Sequence, residues 1–592
     1  FNSVDNNLKN KKILKLLRFD NGVSDVNSPS ADLNNSKRKI ISELQEKDFG
    51  VDKVYFSGDF PTIYYKEIKD FDDETLISIR EIHRKIWNQG KVAFLYIESD
   101  SEFRIYNCYY RPINPNDPNQ SITNAEIYKI NKENEKDLDE LVRVFGKISI
   151  ETGKFWEIEK YSIKLRQKRV NQVLIENLRL TRKKLKDEFG INKEIVHDLL
   201  IRSLFILYLE DRGATDDKFY NEFSLGSKSY YDLLAKDLNG TYNLFKKLED
   251  SFNGNLCPVT QEEQKKIKLE HLKLINECFW DKINFNGQEK LFEWKAFDFK
   301  YIPIELISEI YEEFLKEQEG VEKKSDDGAY YTPHSLVEFI LNKVLVWPDK
   351  KNSNEHIRIL DPTCGSGIFL VESFKRLVAR WEFNHPGEQI SFKDIKKIVK
   401  NNLHGIENNY EAIKVAAFSI YLAMLDKLEP KTLWKDKSFP YLIYDPANKN
   451  KDTQGYNLYF MSSLSDGPFT KINFDLIIGN PPFKEGKLDN ETKNYNNQRG
   501  YPQEKVIAFI DRAMSLCSQG KIALLAASKP ILFNTGTKYK KFRKVLFNEC
   551  YVEEIYNFSI LRNASKKFGG TLFSTAIGPA SVLFFQKTLP KK

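Results

Sequence analysis

The stretch HIRILDPTCGSGIFLVESFKRLV, His356 to Val378, constrains the fold more than any other. Ile357, Ile359 and Leu360 make a short apolar strand. Ile368 to Val378 carries apolar residues at helical spacing. Between them the turn Asp361 to Gly367 holds Gly365 and Gly367, which let a ligand approach the backbone closely. A turn of this kind sits at the carboxyl end of a strand, where open α/β sheets bind ligands. It is neither GxGxxG nor a Walker loop, because no Lys-Ser/Thr follows the glycines. A second strand, NLHGIENN, ends on Glu407, and a carboxylate at a strand tip can accept two hydrogen bonds from a ribose diol.

The chain has 592 residues, too many for one core, so several domains are expected. Hydrophobic residues make up 41% and charged residues 30%, which excludes a disordered chain. Lys and Arg total 91 against 84 acids, a formal +7 that permits a polyanion partner without demanding one. Six cysteines lack regular spacing and the seven histidines are scattered, which argues against a disulfide framework or a zinc site, and no metal is expected. No apolar run has transmembrane length and no signal peptide opens the sequence, so a cytoplasmic setting without membrane contact is expected.

The first part mixes helix and strand. Ser36 to Asp48 and Glu74 to Trp87 read as helices, the latter with Leu76, Ile79, Ile82 and Ile86 on one face. VDKVYFS, PTIYYKEI, KVAFLYIE and EFRIYNCYY read as strands, and RPINPNDPNQ as a loop. From Lys132 to about Leu315 the pattern is mostly helical, clearest over Ser162–Asp187 and Lys193–Arg212. The charged run Lys316–Gly328 reads as a joint. After it strands and helices alternate, as in a parallel α/β sheet. In GAYYTPHSLVEFILNKVL, Thr332 suits a helix N-cap and Pro333 the first helical position. Further on, FDLIIGNPPFKEG climbs through Leu476, Ile477 and Ile478, then breaks at Gly479, Asn480 and two prolines that cannot continue a central strand.

With DPTCGSG, HGIENN and GNPPF in that order, the chain resembles the adenine-N6 DNA methyltransferases of type I and type IIG restriction–modification systems. GAYYTP resembles the family's cofactor-contacting motif. Phe297–Leu315 and Leu199–Gly213 resemble its helical segments, and GPASVLFFQK its last core strand. The likeness runs from about Lys193 to Lys587 and is strongest from Gly328 to Phe483. It implies an α/β fold in which a Rossmann-like methyltransferase core follows a helical connector and a small N-terminal α/β domain. The expected boundaries are 1–130, 131–320 and 321–592. It implies S-adenosylmethionine as cofactor, held by Tyr331, Thr332, Pro333, Asp361, Pro362, Thr363, Gly365, Gly367, Glu407 and Asn408. Where the family binds the cofactor's adenine, this chain departs from the pattern: NLYFMSSLSDGPF stands there, and neither Ser463 nor Asp466 is a clear match for the family's residue. Double-stranded DNA is the implied partner. Relatives carry a target-recognition domain after the core, so either that domain lies outside this sequence or a separate specificity or restriction subunit reads the DNA site.

The resemblance also assigns the chemistry of Asn480, Pro481, Pro482 and Phe483. The exocyclic amine of adenine is a poor nucleophile, its lone pair delocalised into the ring. Two acceptors for its two N–H bonds, the Asn480 side-chain oxygen and the Pro481 carbonyl, localise that pair and stabilise the charge growing on nitrogen. The prolines stiffen the loop. Phe483 offers a stacking face worth roughly 1–3 kcal/mol, against a few kcal/mol for extruding the base. A cytosine carbon-5 methylase needs a nucleophilic cysteine, typically after proline, and no cysteine here follows one. Cys364 reads as a packing residue.

Two features are weaker. Arg166, Lys168, Arg169, Arg179, Arg182, Lys183 and Lys184 can follow a phosphate backbone, although such runs are more often solvated. Asp59 with Glu67 and Lys69 mimics the D…ExK constellation of restriction nucleases. The alternative reading is therefore a bifunctional restriction endonuclease and methyltransferase.

Overall fold

The computed structural model describes residues 13–165, 168–252, 258–280, 294–316, 332–434, 438–482, 488–563 and 580–588. They fall into two compact units, Phe1–Ile191 with Lys268–Pro303, and Asn192–Ile267 with Ile304–Lys592. The expected joint at Lys316–Gly328 lies, beyond its first residue, outside the described residues. Among the described residues no helix is long and apolar enough to cross a membrane.

In the first unit the chain runs β1 (Val23–Asp25), α1 (Asn35–Glu46), β2 (Lys53–Ser57), β3 (Phe60–Glu67), α2 (Asp73–Gln89), β4 (Phe94–Glu98), β5 (Glu102–Asn107) and β6 (Glu126–Asn131). The six strands pair in chain order. Only β3 and β4 run parallel, with α2 as their crossover. α2 starts at Asp72, whose carboxylate accepts from Thr75 N at 2.8 Å, and it buries Ile79, Ile82 and Ile86. Alternation along the strands feeds one core on each face. Tyr65, Tyr96, Phe103 and Ile105 go to one, and Tyr64, Leu95, Ile97 and Tyr106 to the other.

The nuclease-like constellation does not assemble. Asp59 lies in the turn before β3 and accepts from Asn34 Nδ2 at 2.7 Å. Glu67 closes the same strand and pairs with Lys53 at 2.5 Å. Eight residues of extended chain put roughly 25 Å between them, too far for one metal ion.

Residues 131–320, expected as one connector, are shared between the units. α3 (Val170–Asp187) belongs to the first, together with α5 (Leu269–Trp280). There Asn177 Nδ2 donates to Cys278 O at 3.0 Å. α3 carries part of the basic run. Lys168, just before it, pairs with Glu176, and the Arg169 guanidinium lies over the Tyr109 ring. α4 (Lys193–Asp211) belongs to the second unit and is buried along most of its length. Its Asp198 pairs with Lys414 at 3.1 Å, and its Tyr208 donates to Asp426 at 2.9 Å. A helix buried on most of its surface needs partners nearly all round, and α4 finds them within the second unit.

The second unit continues with α6 (Ile304–Lys316), α7 (His334–Val344), β7 (Ile359–Asp361), α8 (Ile368–Asn384), α9 (Phe392–Asn402), β8 (Leu403–Glu407) and α10 (Tyr410–Asp426). Then come β9 (Ile443–Tyr444), β10 (Leu458–Phe460), β11 (Leu476–Gly479), α11 (Asn490–Arg499), α12 (Lys505–Leu516), β12 (Lys521–Ala527), α13 (Thr537–Asn548), β13 (Tyr551–Asn557) and β14 (Ala580–Gln586). The sheet order is β13-β14-β12-β11-β7-β8-β10-β9. All neighbours are parallel except β14, which runs against both β12 and β13. Ile359, Leu360, Ile477, Ile478, Ala523 and Leu524 are fully buried. Central parallel strands are covered on both faces, and so read as unbroken apolar runs rather than as alternation.

Candidate active site

β7 and β11 lie side by side, Ile359 opposite Leu476 and Leu360 opposite Ile477. From β7 the chain fills the sheet outward through β8 and β10, then returns to place β11 on the other side. This reversal opens a crevice at the carboxyl ends of β7 and β11, the position where open α/β sheets take ligands. Asp361 stands at one tip and Gly479 with Asn480 at the other. Asp361 is 1% exposed, and its Oδ1 accepts from Thr363 N at 3.0 Å. A Cβ on Gly479 would stand 2.6 Å from that same oxygen. The apolar run of β11 therefore ends on glycine because the Asp361 carboxylate fills the space.

The turn after β7 is closed from below by β8. Cys364 N donates to Ile406 O, and Gly365 N to Glu407 Oε2, each at 3.0 Å. The other Glu407 oxygen accepts from the amides of Asn408 and Asn409, each at 2.9 Å. Gly365 has φ 52° and Gly367 φ 86°, both left-handed. Gly367 also caps α8, and a Cβ there would meet Ala416 Cα of α10 at 3.1 Å. Cys364 is buried, its Sγ 2.8 Å from where a Cβ on Gly405 would lie, so it packs as expected. Thr363 Oγ1 is buried without a hydrogen-bond partner among the described residues. A half-buried carboxylate at a strand tip, a glycine turn and an unmatched hydroxyl form a cradle suited to a ligand rich in hydroxyls.

Asn480 is joined to Thr332. Its Nδ2 donates to Thr332 Oγ1 at 3.0 Å across 148 residues. In this arrangement the amide nitrogen faces Thr332 and the oxygen faces away from it. The bond also corrects the expectation for α7. The helix starts at His334 with Pro333 in the N-cap position and no side-chain cap. Thr332, a buried residue, does not cap it; its hydroxyl serves Asn480 instead. Pro481 is buried and Pro482 half-buried. Tyr331 and Phe483 lie outside the described residues. Ser463 is buried and donates from Oγ to Pro362 O, against the glycine turn. Asp466 faces outward and pairs with Arg512 at 2.8 Å. Of the two residues offered by NLYFMSSLSDGPF, only Ser463 touches the turn.

Just behind Thr332, His334 lies among three carboxylates, 3.5 Å from Glu372 and 3.8 Å from both Glu305 and Glu338. Glu305, His334 and Glu372 have ligand-type atoms within 4.8 Å of one another. The carboxylates are already neutralised. Lys375 Nζ is 2.5 Å from Glu305 and 2.7 Å from Glu372, and Arg376 is 3.1 Å from Glu338. Burial works against charge on His334, but the hydrogen bond and charge of Glu372, with Glu305 and Glu338, outweigh it and raise its pKa above the ordinary 6.5. Burial likewise opposes ionisation of Glu372, yet Lys375 and His334 hold it well below the carboxylate range. The cluster knits α6, α7 and α8 together behind the crevice. The sequence marked Gly479 only as the break in the run and did not reveal its contact with Asp361, and it gave no sign of the His334 cluster. A glycine at the end of an apolar run was the available signal for the first, and the second has none.

A parallel sheet with its last strand reversed and inserted between the two before it, and a ligand cradle at the strand tips where the order reverses, is the Rossmann-like methyltransferase core expected from the sequence. Residues 303–592 match the model of the N-6 DNA methylase family. Over 530 residues the chain is 25% identical to the type II restriction enzyme and methyltransferase RM.Eco57I of Escherichia coli, covering 79% of this chain and 50% of that one. It is 23% identical over 417 residues to the type I restriction enzyme MjaVII methylase subunit of Methanocaldococcus jannaschii, covering 68% and 58%. With the adenine-specific methyltransferase PglX of Streptomyces coelicolor it shares 29% over 176 residues, 26% of this chain and 14% of that one. The chain thus spans little more than half the length of these relatives at most.

Proposed function

We propose that this chain transfers a methyl group from S-adenosylmethionine to the exocyclic amine of adenine in duplex DNA, as part of a restriction–modification or phage-defence system. The observation that carries the reading is the hydrogen bond between Asn480 and Thr332, at the mouth of a crevice that also holds the glycine turn and Glu407. It holds the Asn480 amide, whose oxygen is an acceptor, beside a cofactor-type cradle.

The cofactor supplies an electrophilic methyl group on a sulfonium. The residues suited to hold it are Asp361, Pro362, Thr363, Gly365 and Gly367 of the turn, Glu407 and Asn408 at the next strand tip, and Tyr331, Thr332 and Pro333 upstream. Glu407 takes the ribose hydroxyls, since a carboxylate offers about four lone-pair directions and can share them with backbone amides. Thr363 Oγ1 gains the partner it lacks. Asn480 Oδ1 and the Pro481 carbonyl accept the two N–H bonds of the target amine and direct its lone pair at the methyl group. Acceptors already in place cost no reorganisation as charge grows on nitrogen. Pro482 stiffens the loop, and Phe483 stacks the extruded base.

The test is to incubate the chain with duplex DNA and methyl-labelled cofactor, digest the DNA and identify the base by mass spectrometry. N6-methyladenine is expected, and it should vanish with Asn480→Ala. Only methylcytosine, or no labelled base, would overturn the proposal.

One observation favours a second reading, the bifunctional enzyme. The alignment with RM.Eco57I is 530 residues long, so it extends beyond the family match at 303–592 into the first unit. That reading needs a metal site other than Asp59 with Glu67. Magnesium-dependent cutting of the same DNA would establish it.

A further inference from the structure

We propose that the exposed face of α13 is a track for the phosphate backbone of duplex DNA. The inference rests on the methyltransferase reading and names a surface that holds its substrate.

α13 reads TKYKKFRKVLFN, five basic residues and no acidic one. Phe542 and Leu546 are buried in the core of the unit and set the helix's orientation. Lys538, Lys540, Lys541 and Lys544 are then exposed. Pairs 538/541, 541/544 and 540/544 stand three or four residues apart, so like charges face one another along the helix, an arrangement that weakens it. A polyanion laid along this face would relieve the repulsion.

Two of the cations are anchored. Arg543 donates to the carbonyls of Ile531 and Asn534, and Lys541 Nζ to Arg499 O at 2.7 Å. Lys538, Lys540 and Lys544 have no carboxylate within ion-pair distance among the described residues. Other lysines of the same unit do, with Lys343 on Glu554, Lys414 on Asp198, Lys505 on Asp489 and Lys587 on Glu549. With 84 acids against 91 bases in the chain, an acid-free face does not follow from composition.

The placement suits the substrate. β12 lies parallel to β11, with Leu524 opposite Gly479, and runs on to Ala527. A single turn, Lys529–Phe533, leads into α13. The helix therefore begins on the same edge of the sheet as Asn480, with the positive end of its dipole there. From Lys538 to Lys544 the helix rises about 9 Å, the axial length of two to three phosphate steps on one strand.

The test uses the full chain with Lys538, Lys540 and Lys544 all changed to Gln, and separately all to Glu. A matched control changes Lys393, Lys397 and Lys400 of α9 to Gln, the same loss of charge at another exposed helix. Binding to a short fluorescent DNA duplex is titrated at several salt concentrations. Each phosphate contact contributes about 0.9 to the slope of log K against log salt. The slope of the α13 Gln variant should be shallower by about 2 to 3, and its affinity at low salt about ten- to a hundredfold lower. The Glu variant should bind more weakly still, and the α9 control should match wild type. S-adenosylmethionine binding and melting temperature should be unchanged in every variant. If the α13 variants kept the wild-type slope while methyl transfer persisted, the track would be refuted and the function would stand. Equal losses in the α9 control would reduce the effect to net charge and refute it too, as would a larger loss for duplex RNA than for DNA. If wild type neither bound nor methylated duplex DNA, the functional reading itself would fall.

Discussion

Two glutamates occupy the same kind of position in the two units, and they do opposite things. Glu98 is the last residue of β4 and Glu407 the last residue of β8. Glu98 is 7% exposed, and its carboxylate receives Lys132 Nζ at 2.7 Å, Ile13 N at 3.2 Å and the Tyr65 hydroxyl. Lys132 is nearly as buried, so the two charges close on each other inside the first unit. Burial, together with Glu98, drives the Tyr65 phenol far above its usual range, which keeps it a donor. Glu407 is half-buried and receives three backbone amides from the turn beside it and the helix start after it. A carboxylate sealed with a lysine belongs to the frame. One held by loop amides at a topological switch point can share its oxygens with a ligand. Residue type and strand position are the same in both cases, and the partners decide.

The largest effect should fall on the frame. Glu98→Gln leaves Lys132 buried without its counter-charge, a change that typically costs about 3–5 kcal/mol. Urea unfolding should show the first unit destabilised by that order. A loss below about 1 kcal/mol would mean that the pair behaves like a surface ion pair and that the contrast with Glu407 is false.

Asn480→Ala should come next, with single-turnover methyl transfer slowed about a hundred- to a thousandfold and cofactor affinity nearly unchanged. Thr332→Val, which removes the hydrogen-bond partner that holds the amide in place, should give a smaller loss of the same kind. If Thr332→Val alone were without effect, the bond between the two motifs would be incidental.

Glu407→Gln should invert the pattern of Glu98→Gln. S-adenosylmethionine binding by calorimetry should weaken about tenfold or more, as expected for a lost charged hydrogen bond of 1.5–3 kcal/mol, while unfolding stability changes little. Equal losses of stability in the two variants would break the comparison outright.

The smallest effect concerns pH. His334 has a folded pKa above its ordinary 6.5, so its stabilisation is complete below pH 6.5 and fades as pH rises through the raised value. Unfolding of wild type and His334→Gln between pH 6 and pH 9 should show a difference that shrinks with rising pH. A difference that grew would mean that burial, not Glu372, Glu305 and Glu338, controls this imidazole.

The features legible without coordinates are those written in neighbouring residues. The glycine turn, the strand ending on Glu407, the break at Asn480 and the helices around Ile79 and Leu199 follow from backbone stereochemistry and periodicity. Those act over a few residues, whatever the rest of the chain does. The change from mixed to regularly alternating strands and helices was legible for the same reason. Thr332 shows where such reasoning stops. Locally a threonine before proline and an amphipathic run is a helix cap, yet its hydroxyl is claimed by Asn480 from 148 residues away. Gly479 is glycine because Asp361 leans over from another strand. α4 belongs to the second unit because its largely apolar surface finds cover there. Glu98 and Glu407 differ only in what the fold brings to each. Local chemistry determined which groups this protein offers, and tertiary packing decided which of them are spent on one another and which stay available, because a side chain's partner is set by distance in space and not along the chain.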